Sequence, residues 1–160
     1  MRILGIDPGS VITGYGLIDV DGGAQTHVAS GAIRLKFKEI APRLVLLQRE
    51  MAALIECYRP DVCAIESLFV HKNPNSALKL GQARGVALCT VASAAIPLFE
   101  YAPRLVKLTV SGQGGADKEQ IQTVIRSLFA LEGKIQPDQA DALAIALTHA
   151  RKMAAAPELP

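Results

Sequence analysis

The sequence predicts an α/β fold in which a mixed five-stranded sheet is flanked by helices. The first third of the chain consists of short apolar segments separated by turn residues, a pattern typical of an antiparallel meander. From residue 43 onward, apolar residues recur every three or four positions, in segments that alternate with short β-branched runs. A meander that leads into such βα units predicts one mixed sheet with helices on its faces.

Three strands are predicted at the start of the chain. Residues 2–7 are rich in Ile and Leu and end at the turn-forming residues 8–10. A second strand is predicted over residues 14–20, and Asp21-Gly22-Gly23 forms a tight turn before a third strand over residues 24–35. These three strands form the predicted meander.

The rest of the chain alternates between helices and strands. Residues 43–58 form an amphipathic helix that stops at Pro60, and a buried strand over residues 62–65 ends at Glu66. The later elements are a helix over 75–95 capped by Asn75 or Ser76, a strand over 98–101, a short helix from Pro103, a hinge over 111–115, a helix over 117–131 and a last helix from Pro137 to about Met153. This order is that of the ribonuclease H-like architecture. It predicts a single domain over residues 1–153, with residues 154–160 as a disordered tail.

Size and composition set limits on the class of protein. The chain has 160 residues, 50% of them hydrophobic and 20% charged, which suits one globular domain and excludes a disordered protein. The longest apolar run, residues 86–99, is shorter than the roughly 18 to 20 residues of a membrane span, and the N-terminus does not resemble a signal peptide. A cytoplasmic protein is therefore expected. Three cysteines without a C-x-x-C pair are expected to be buried, reduced thiols: Cys57, Cys63 and Cys89.

Four carboxylates stand at positions that favour a shared site. Asp7 and Glu66 each end a predicted buried strand, where α/β folds commonly place functional groups. Asp138 and Asp141 are spaced i, i+3 near the start of the last helix, so they share one face of it. If that helix crosses the edge of the sheet, all four converge. Taken singly, each acid has an ordinary explanation as a turn former, a helix-start acid or a solvated surface residue.

Clustered carboxylates indicate metal-dependent chemistry. Four adjacent negative charges repel, and divalent Mg²⁺ relieves this repulsion because it prefers hard oxygen ligands. Two such ions about 4 Å apart assist hydrolysis of a phosphodiester. The net charge is +2. With the four acids set aside, 17 basic residues face 15 − 4 = 11 acidic ones, which favours a polyanionic substrate, although an ordinary balanced surface explains the composition equally well.

Six segments together resemble the RuvC family of Holliday-junction resolvases. They are I-L-G-I-D-P-G-S…T-G-Y-G at 3–16, A-I-E at 64–66, N-P-x-S-A-x-x-L-G-x-A-R-G at 73–85, Y-A-P-R-L-V-K at 101–107, G-x-G-x-A-x-K-x-Q at 112–120 and D-x-A-D-A-L-A-I-A at 138–146. The resemblance implies a ribonuclease H-like homodimer that makes paired symmetric nicks in four-way DNA junctions during recombination and repair. It implies two Mg²⁺ per site, with Mn²⁺ as a substitute, and work beside the RuvA and RuvB branch-migration proteins.

Four further residues are candidates for DNA contact. Lys118 lies in the first turn of its predicted helix, where the dipole disfavours a cation, so a phosphate partner is one explanation and a solvated lysine is the other. Arg104 and Lys107 are i, i+3 neighbours that could follow one strand. The resemblance adds that family members use lysines at the positions of Lys107 and Lys118. Phe69 either stacks on a base unpaired at the junction or packs in the core or a dimer interface.

Three other functions share parts of this pattern. A nuclease for RNA–DNA hybrids would use the same acids and differ in substrate. A sugar kinase or actin-like ATPase also opens with D-x-G-[ST] but needs two such domains, for which 160 residues leave no room. A junction-binding protein without catalysis would lack one of the acids, and none is missing here.

Overall fold

A computed structural model describes residues 1–67 and 73–155 and confirms the mixed sheet. The strands lie in the order β3-β2-β1-β4-β5. The first three pair antiparallel, while β1 with β4 and β4 with β5 pair parallel, as expected for a meander followed by βα units. Their bounds are β1 Arg2–Asp7, β2 Ile12–Asp21, β3 Ala24–Arg34, β4 Val62–Glu66 and β5 Leu98–Tyr101.

Five helices cover both faces of this sheet within the described residues. They are α1 Ile40–Tyr58, α2 Pro74–Ser93, α3 Pro103–Ser111, α4 Lys118–Leu128 and α5 Pro137–Ala155. Successive residues of β1 point to opposite faces: Leu4 packs in the apolar core beneath α1 and α2, and Ile3 in the core beneath α3, α4 and α5. The sheet is therefore buried on both sides.

The N-cap predicted for α2, Asn75 or Ser76, was wrong by two or three residues. The cap is Asn73, whose side-chain oxygen accepts hydrogen bonds from the backbone N–H groups of Asn75 and Ser76 at 3.0 and 3.4 Å. Pro74 follows directly as the first helical residue, where its missing N–H costs nothing. An asparagine before a proline was therefore the better sequence signal.

Two other helix boundaries differ from the prediction by three residues each. Helix α1 begins at Ile40 instead of residue 43, because Pro42 is tolerated in a first turn. Helix α4 ends at Leu128 instead of residue 131, because Ala130 adopts a left-handed conformation with φ of 49°. The residues at 156–160 lie outside the described part, so the predicted disordered tail stays a prediction.

The cysteine prediction holds for one residue of three. Cys63 in β4 is buried, and burial raises the pKa of its thiol to about 12. Cys57 and Cys89 are exposed, contrary to the prediction. Both lie on helices, where an apolar neighbour in sequence points to another face, so apolar neighbours did not imply burial. In the described segments, no helix is long and apolar enough to cross a membrane.

Three glycines allow α5 to lie directly on the sheet. A Cβ atom on Gly5 of β1 would stand 2.1 Å from the carbonyl oxygen of Ala142, and one on Gly14 of β2 would stand 2.0 Å from that of Asp138. A Cβ on Gly16 would overlap Leu143 at 2.8 Å. Side chains at these positions would push the helix away. The glycines therefore set the distance between α5 and the strand that carries Asp7.

Candidate active site

Asp7 and Glu66 are neighbours at one edge of the sheet. Strands β1 and β4 are parallel, with Ile6 opposite Ile65, and each strand ends at its next residue. The two carboxylates therefore emerge side by side from the carboxyl ends of central strands, as the sequence predicted.

Helix α5 brings the second pair of acids to this edge. Asp138 lies in its first turn, and its backbone is pressed against Gly14, the residue paired with Asp7. Asp141 follows one turn later. The negative charges of Asp138, Asp141 and Glu66 all act on the carboxyl group of Asp7, so the four acids lie near the same edge of the sheet.

A cleft of about 290 Å³ opens over these groups. Three of the acids line it, Asp7, Glu66 and Asp141, and Asp138 stands outside its lining. The remaining lining residues are Pro8, Ser67, Leu80, Pro103, Val106, Lys107, Lys118, Ile121 and Ala144. The cleft therefore has an acidic floor and two lysines on its wall.

Burial and then neighbouring negative charges raise the pKa values of three of the acids, Asp7, Glu66 and Asp141. Burial and then the charges of Asp141, Glu66 and Asp138 raise the pKa of Asp7 to about 8. Burial is also the main cause of the raised pKa values of Glu66 and Asp141. At neutral pH without cations, Asp7 would hold a proton. Such a site gains stability by binding a cation, which is the expected behaviour of a metal centre.

Two lysines partly offset this negative charge. The Nζ of Lys118 stands 3.4 Å from Asp141 Oδ2, and this charge is the main cause of the raised pKa of Lys118. Lys107, on α3, lowers the pKa values of both Glu66 and Asp141. The side chain of Lys118 is 69% exposed, so solvent screens its ion pair and the lysine is free to turn toward an incoming phosphate.

Arg84 holds the backbone of Glu66 in place by a hydrogen bond, and the sequence analysis did not identify this residue. Its Nε donates to the backbone oxygen of Glu66 at 3.3 Å, and its Nη2 forms an ion pair with Glu100 of β5. Only 14% of its side chain is exposed. A charged residue among the small residues of helix α2 was the available signal, since a cation so placed needs a partner.

His149 lies in the core and does not reach the cleft. It is 1% exposed, its Nδ1 is hydrogen-bonded to the hydroxyl of Tyr101 at 2.7 Å, and its ring packs on Phe99. Tyr101 is in turn paired in register with Glu66 across the β4–β5 ladder. Through these two contacts, the histidine of α5 packs against β5 and holds the helix and the strand together.

The remaining candidates fall in different places. Lys107 lines the cleft, whereas Arg104 does not, because its side chain lies against Gly114 in the loop after α3. Gly112 ends α3 in a left-handed conformation with φ of 76°. Phe69 lies outside the described residues, so its role stays a prediction.

The donor set suits a hard divalent cation. Across residues 1–67 and 73–155, no three acidic, histidine or cysteine side chains are already close enough to hold a metal ion. The carboxylates that converge on the cleft offer oxygen donors, the kind Mg²⁺ prefers.

Comparison with known proteins identifies the family. The sequence model of crossover junction endodeoxyribonuclease RuvC matches residues 3–149. The RuvC enzymes of Dichelobacter nodosus and Xanthomonas axonopodis pv. citri are 53% and 49% identical over 152 and 160 residues. These alignments cover 95% and 99% of this chain and 86% and 92% of the relatives.

Solved structures agree in fold. The structure of T. thermophilus RuvC in complex with a Holliday junction substrate superposes with a TM-score of 0.88 at 31% identity, covering 96% of this chain and 94% of that one. A yeast mitochondrial Holliday junction resolvase shares the fold, with a TM-score of 0.69 at 16% identity over 95% and 80% of the two chains. The acidic cleft agrees with such an enzyme. Because the family model matches residues 3–149, the chain belongs to the RuvC family of crossover junction endodeoxyribonucleases.

Proposed function

We propose that this chain resolves four-way DNA junctions by paired symmetric nicks, using Asp7, Glu66, Asp138 and Asp141. The observation that carries the proposal is the convergence of these acids at one edge of the sheet, where burial and then their charges raise the pKa of Asp7 to about 8. Burying repelling carboxylates costs stability, so their retention favours a role in binding cations for phosphodiester hydrolysis. A nuclease for RNA–DNA hybrids would share these acids, and substrate competition separates the two.

We propose Mg²⁺ as the metal, two ions per site, with Mn²⁺ as a substitute. When bound, these ions supply an activated water and stabilise the leaving oxygen. The side chains that would hold them are Asp7, Glu66 and Asp141 on the floor of the cleft, with Asp138 beside Asp7.

The lysines of the cleft are proposed to position the DNA backbone. Lys107 and Lys118 stand on its wall, close enough to the acids to alter their pKa values. A phosphate held there would take over part of the lysines' interaction with Asp141. Arg104 lies farther out and is proposed to contact a phosphate away from the cut bond.

We propose that the protein acts as a homodimer, because a junction offers two equivalent strands. An apolar groove of about 520 Å³ between α1 and α2 is open on this chain and includes Val45, which is 66% exposed. Nothing in the described residues would lie within 4 Å of a Cβ on Gly81 or Gly85 of α2, so these positions leave room beside that helix. A second copy could approach closely there. RuvA and RuvB are the proposed partners in the cytoplasm.

A cleavage assay tests the catalytic assignment. Labelled four-way junction and linear duplex are incubated with and without Mg²⁺, using the wild type, Asp7→Asn and, as a matched control, Asp21→Asn. Asp21 is an exposed turn residue at the end of β2, so its replacement should leave cutting unchanged. We expect Asp7→Asn to bind junctions but not cut them, because binding rests on basic residues and shape. Cutting by Asp7→Asn at near the wild-type rate would contradict the metal-site assignment.

Sedimentation tests the dimer. Val45→Asp places a charge in the groove and should yield monomers, whereas Leu128→Asp, on the exposed end of α4, should not. A wild type that stays monomeric at micromolar concentration while resolving junctions fully would contradict the proposal.

A further inference from the structure

Three consecutive exposed residues, Lys36, Phe37 and Lys38, follow strand β3. The end of β3 alternates strictly: Ile33 and Leu35 are buried, and Arg34 and Lys36 are exposed. This alternation would turn Phe37 inward, yet its side chain is 47% exposed. An aromatic ring that stays exposed between two lysines has the composition of a nucleic-acid contact.

The segment lies at the same edge of the sheet as the acids. Asp7 ends β1 opposite Gly14 of β2, and Ile12 of β2 is paired with Arg34 near the end of β3. Ala32 of β3, which is paired with Gly14, lies two strands and therefore about 10 Å across the sheet from Asp7, and the segment begins four residues farther along the chain. Lys107 belongs to α3, which follows the opposite edge strand, β5.

Arg43 fixes this segment to the loop that carries the active site. Its guanidinium donates to the backbone oxygen of Ser10 at 2.8 Å and to that of Phe37 at 2.7 and 3.0 Å. The backbone N–H of Leu35 also donates to the carbonyl oxygen of Val11 at 2.8 Å. Residues 8–11 run directly on from Asp7, so the backbone that carries the exposed ring is held in a defined position relative to the cleft.

The positive charge of this surface is not neutralised by carboxylates. Among the ion pairs formed by the described residues, none involves Lys36 or Lys38, and the guanidinium of Arg34 donates to the neutral side chain of Gln136 at 3.0 Å. Glu39, which follows Lys38, and Glu50 of α1, which lines a shallow pocket with Lys36, are the facing acids. Three basic residues against two acids leave a net positive surface.

We propose that Lys36, Phe37 and Lys38 form a second DNA contact of this enzyme. The two lysines bind phosphates of a junction arm, and the ring of Phe37 stacks on a base exposed near the crossover. A DNA strand that crosses the cleft and continues along this edge of the sheet would reach the segment several nucleotides from Asp7. This contact would bind DNA on the side of the sheet away from Lys107 and Lys118. It rests on four-way junctions being the substrate.

Equilibrium binding in EDTA tests the lysines without cleavage. The variants are Lys36→Ala/Lys38→Ala and, as a matched control, Lys134→Ala/Lys152→Ala, which removes the same charge from exposed sites elsewhere. Loss of two phosphate contacts should reduce the slope of log affinity against log salt by about 1.8 for duplex arms. The control should keep the wild-type slope. Equal slopes for both double variants would overturn the lysine contacts.

The affinities of Phe37→Ala for junction and linear duplex test the ring. Loss of one stacked base should weaken junction binding by about five- to a hundredfold and duplex binding less. An equal loss on both substrates, or none, would overturn the stacking role. Because the ring is exposed, we expect thermal unfolding to be unchanged.

Single-turnover cleavage at saturating enzyme separates this contact from catalysis. Every variant should cut at the wild-type rate once DNA is bound, because the four acids are intact. A slower rate at saturation would overturn the assignment as a DNA contact. A wild type that binds but does not cut junctions would instead refute the proposed function, while the salt slopes would still decide whether the lysines touch DNA.

Discussion

Replacing Asp7 by asparagine should stabilise the metal-free protein while abolishing cleavage. The carboxyl group of Asp7 is held beside three other acids, and its pKa is raised from 3.8 to about 8. In the unfolded chain the same group ionises freely. Between about pH 4 and pH 8 the native state therefore binds more protons than the unfolded state, and the free energy of unfolding falls as the pH rises through that window. Asparagine carries no charge and avoids this loss.

The magnitude follows from the shift. A difference of about 4 pKa units, at about 1.4 kcal/mol each, sets an upper limit of about 6 kcal/mol. Neighbouring acids can share the proton and the group is not fully buried, so we expect about half of that, about 3 kcal/mol at pH 8.5. For a protein of this size, that raises the melting temperature by roughly 6 to 12 °C.

Thermal unfolding in EDTA at pH 5 and pH 8.5 measures this effect. At pH 5 the wild-type Asp7 is protonated in the native state but already ionised in the unfolded chain, so about a third of the effect is present and the variant should melt only slightly higher. At pH 8.5 the variant should be more stable, and added Mg²⁺ should raise the melting temperature of the wild type more than that of Asp7→Asn. A variant that is equally or less stable than the wild type at pH 8.5 would refute the reasoning.

Three other substitutions separate support, charge and stacking. Arg84→Met removes the hydrogen bond that holds the backbone of Glu66, so it should lower the cleavage rate at saturating DNA about tenfold. It should also raise the Mg²⁺ concentration that gives the half-maximal rate and leave junction binding unchanged. Lys79→Met, an exposed change on the same helix, is the control. Lys118→Ala should move the acid limb of the cleavage pH profile to higher pH, because Lys118 lowers the pKa of Asp7; an unmoved limb would contradict this. Mismatches beside the crossover should partly rescue cleavage by Phe69→Ala but not by Lys107→Ala or Lys118→Ala; equal rescue of all three would leave Phe69 as a packing residue.

The strands and the four acids were predictable because their signals are local. Each strand is a short apolar run bounded by turn residues, and Asp7 and Glu66 mark the last residue of two such runs. The i, i+3 spacing of Asp138 and Asp141 fixes their common face without any knowledge of the fold. The order of strands and helices along the sequence then predicted that all four acids lie at one edge of the sheet.

The support for the site was not predictable in the same way. Arg84 reaches the backbone of Glu66 across 18 residues of sequence, and nothing near Arg84 indicates which strand α2 will cover. The exposure of Cys57 and Cys89 depends likewise on which faces of α1 and α2 stay open. These contacts follow from the packing of elements, which a local pattern does not encode.

The glycines of β1 and β2 connect the packing to the chemistry. Because Gly5, Gly14 and Gly16 lack side chains, α5 touches the backbone of the sheet, with the carbonyl oxygen of Asp138 next to Gly14. Gly14 is itself the partner of Asp7 in the β1–β2 ladder, so this contact sets how near the acids of α5 come to Asp7. The Coulomb repulsion between carboxylates rises as that distance falls, and it is part of what raises the pKa of Asp7 to about 8. Gly14 and Gly16 of the T-G-Y-G segment therefore help to set how strongly the acids of α5 act on Asp7.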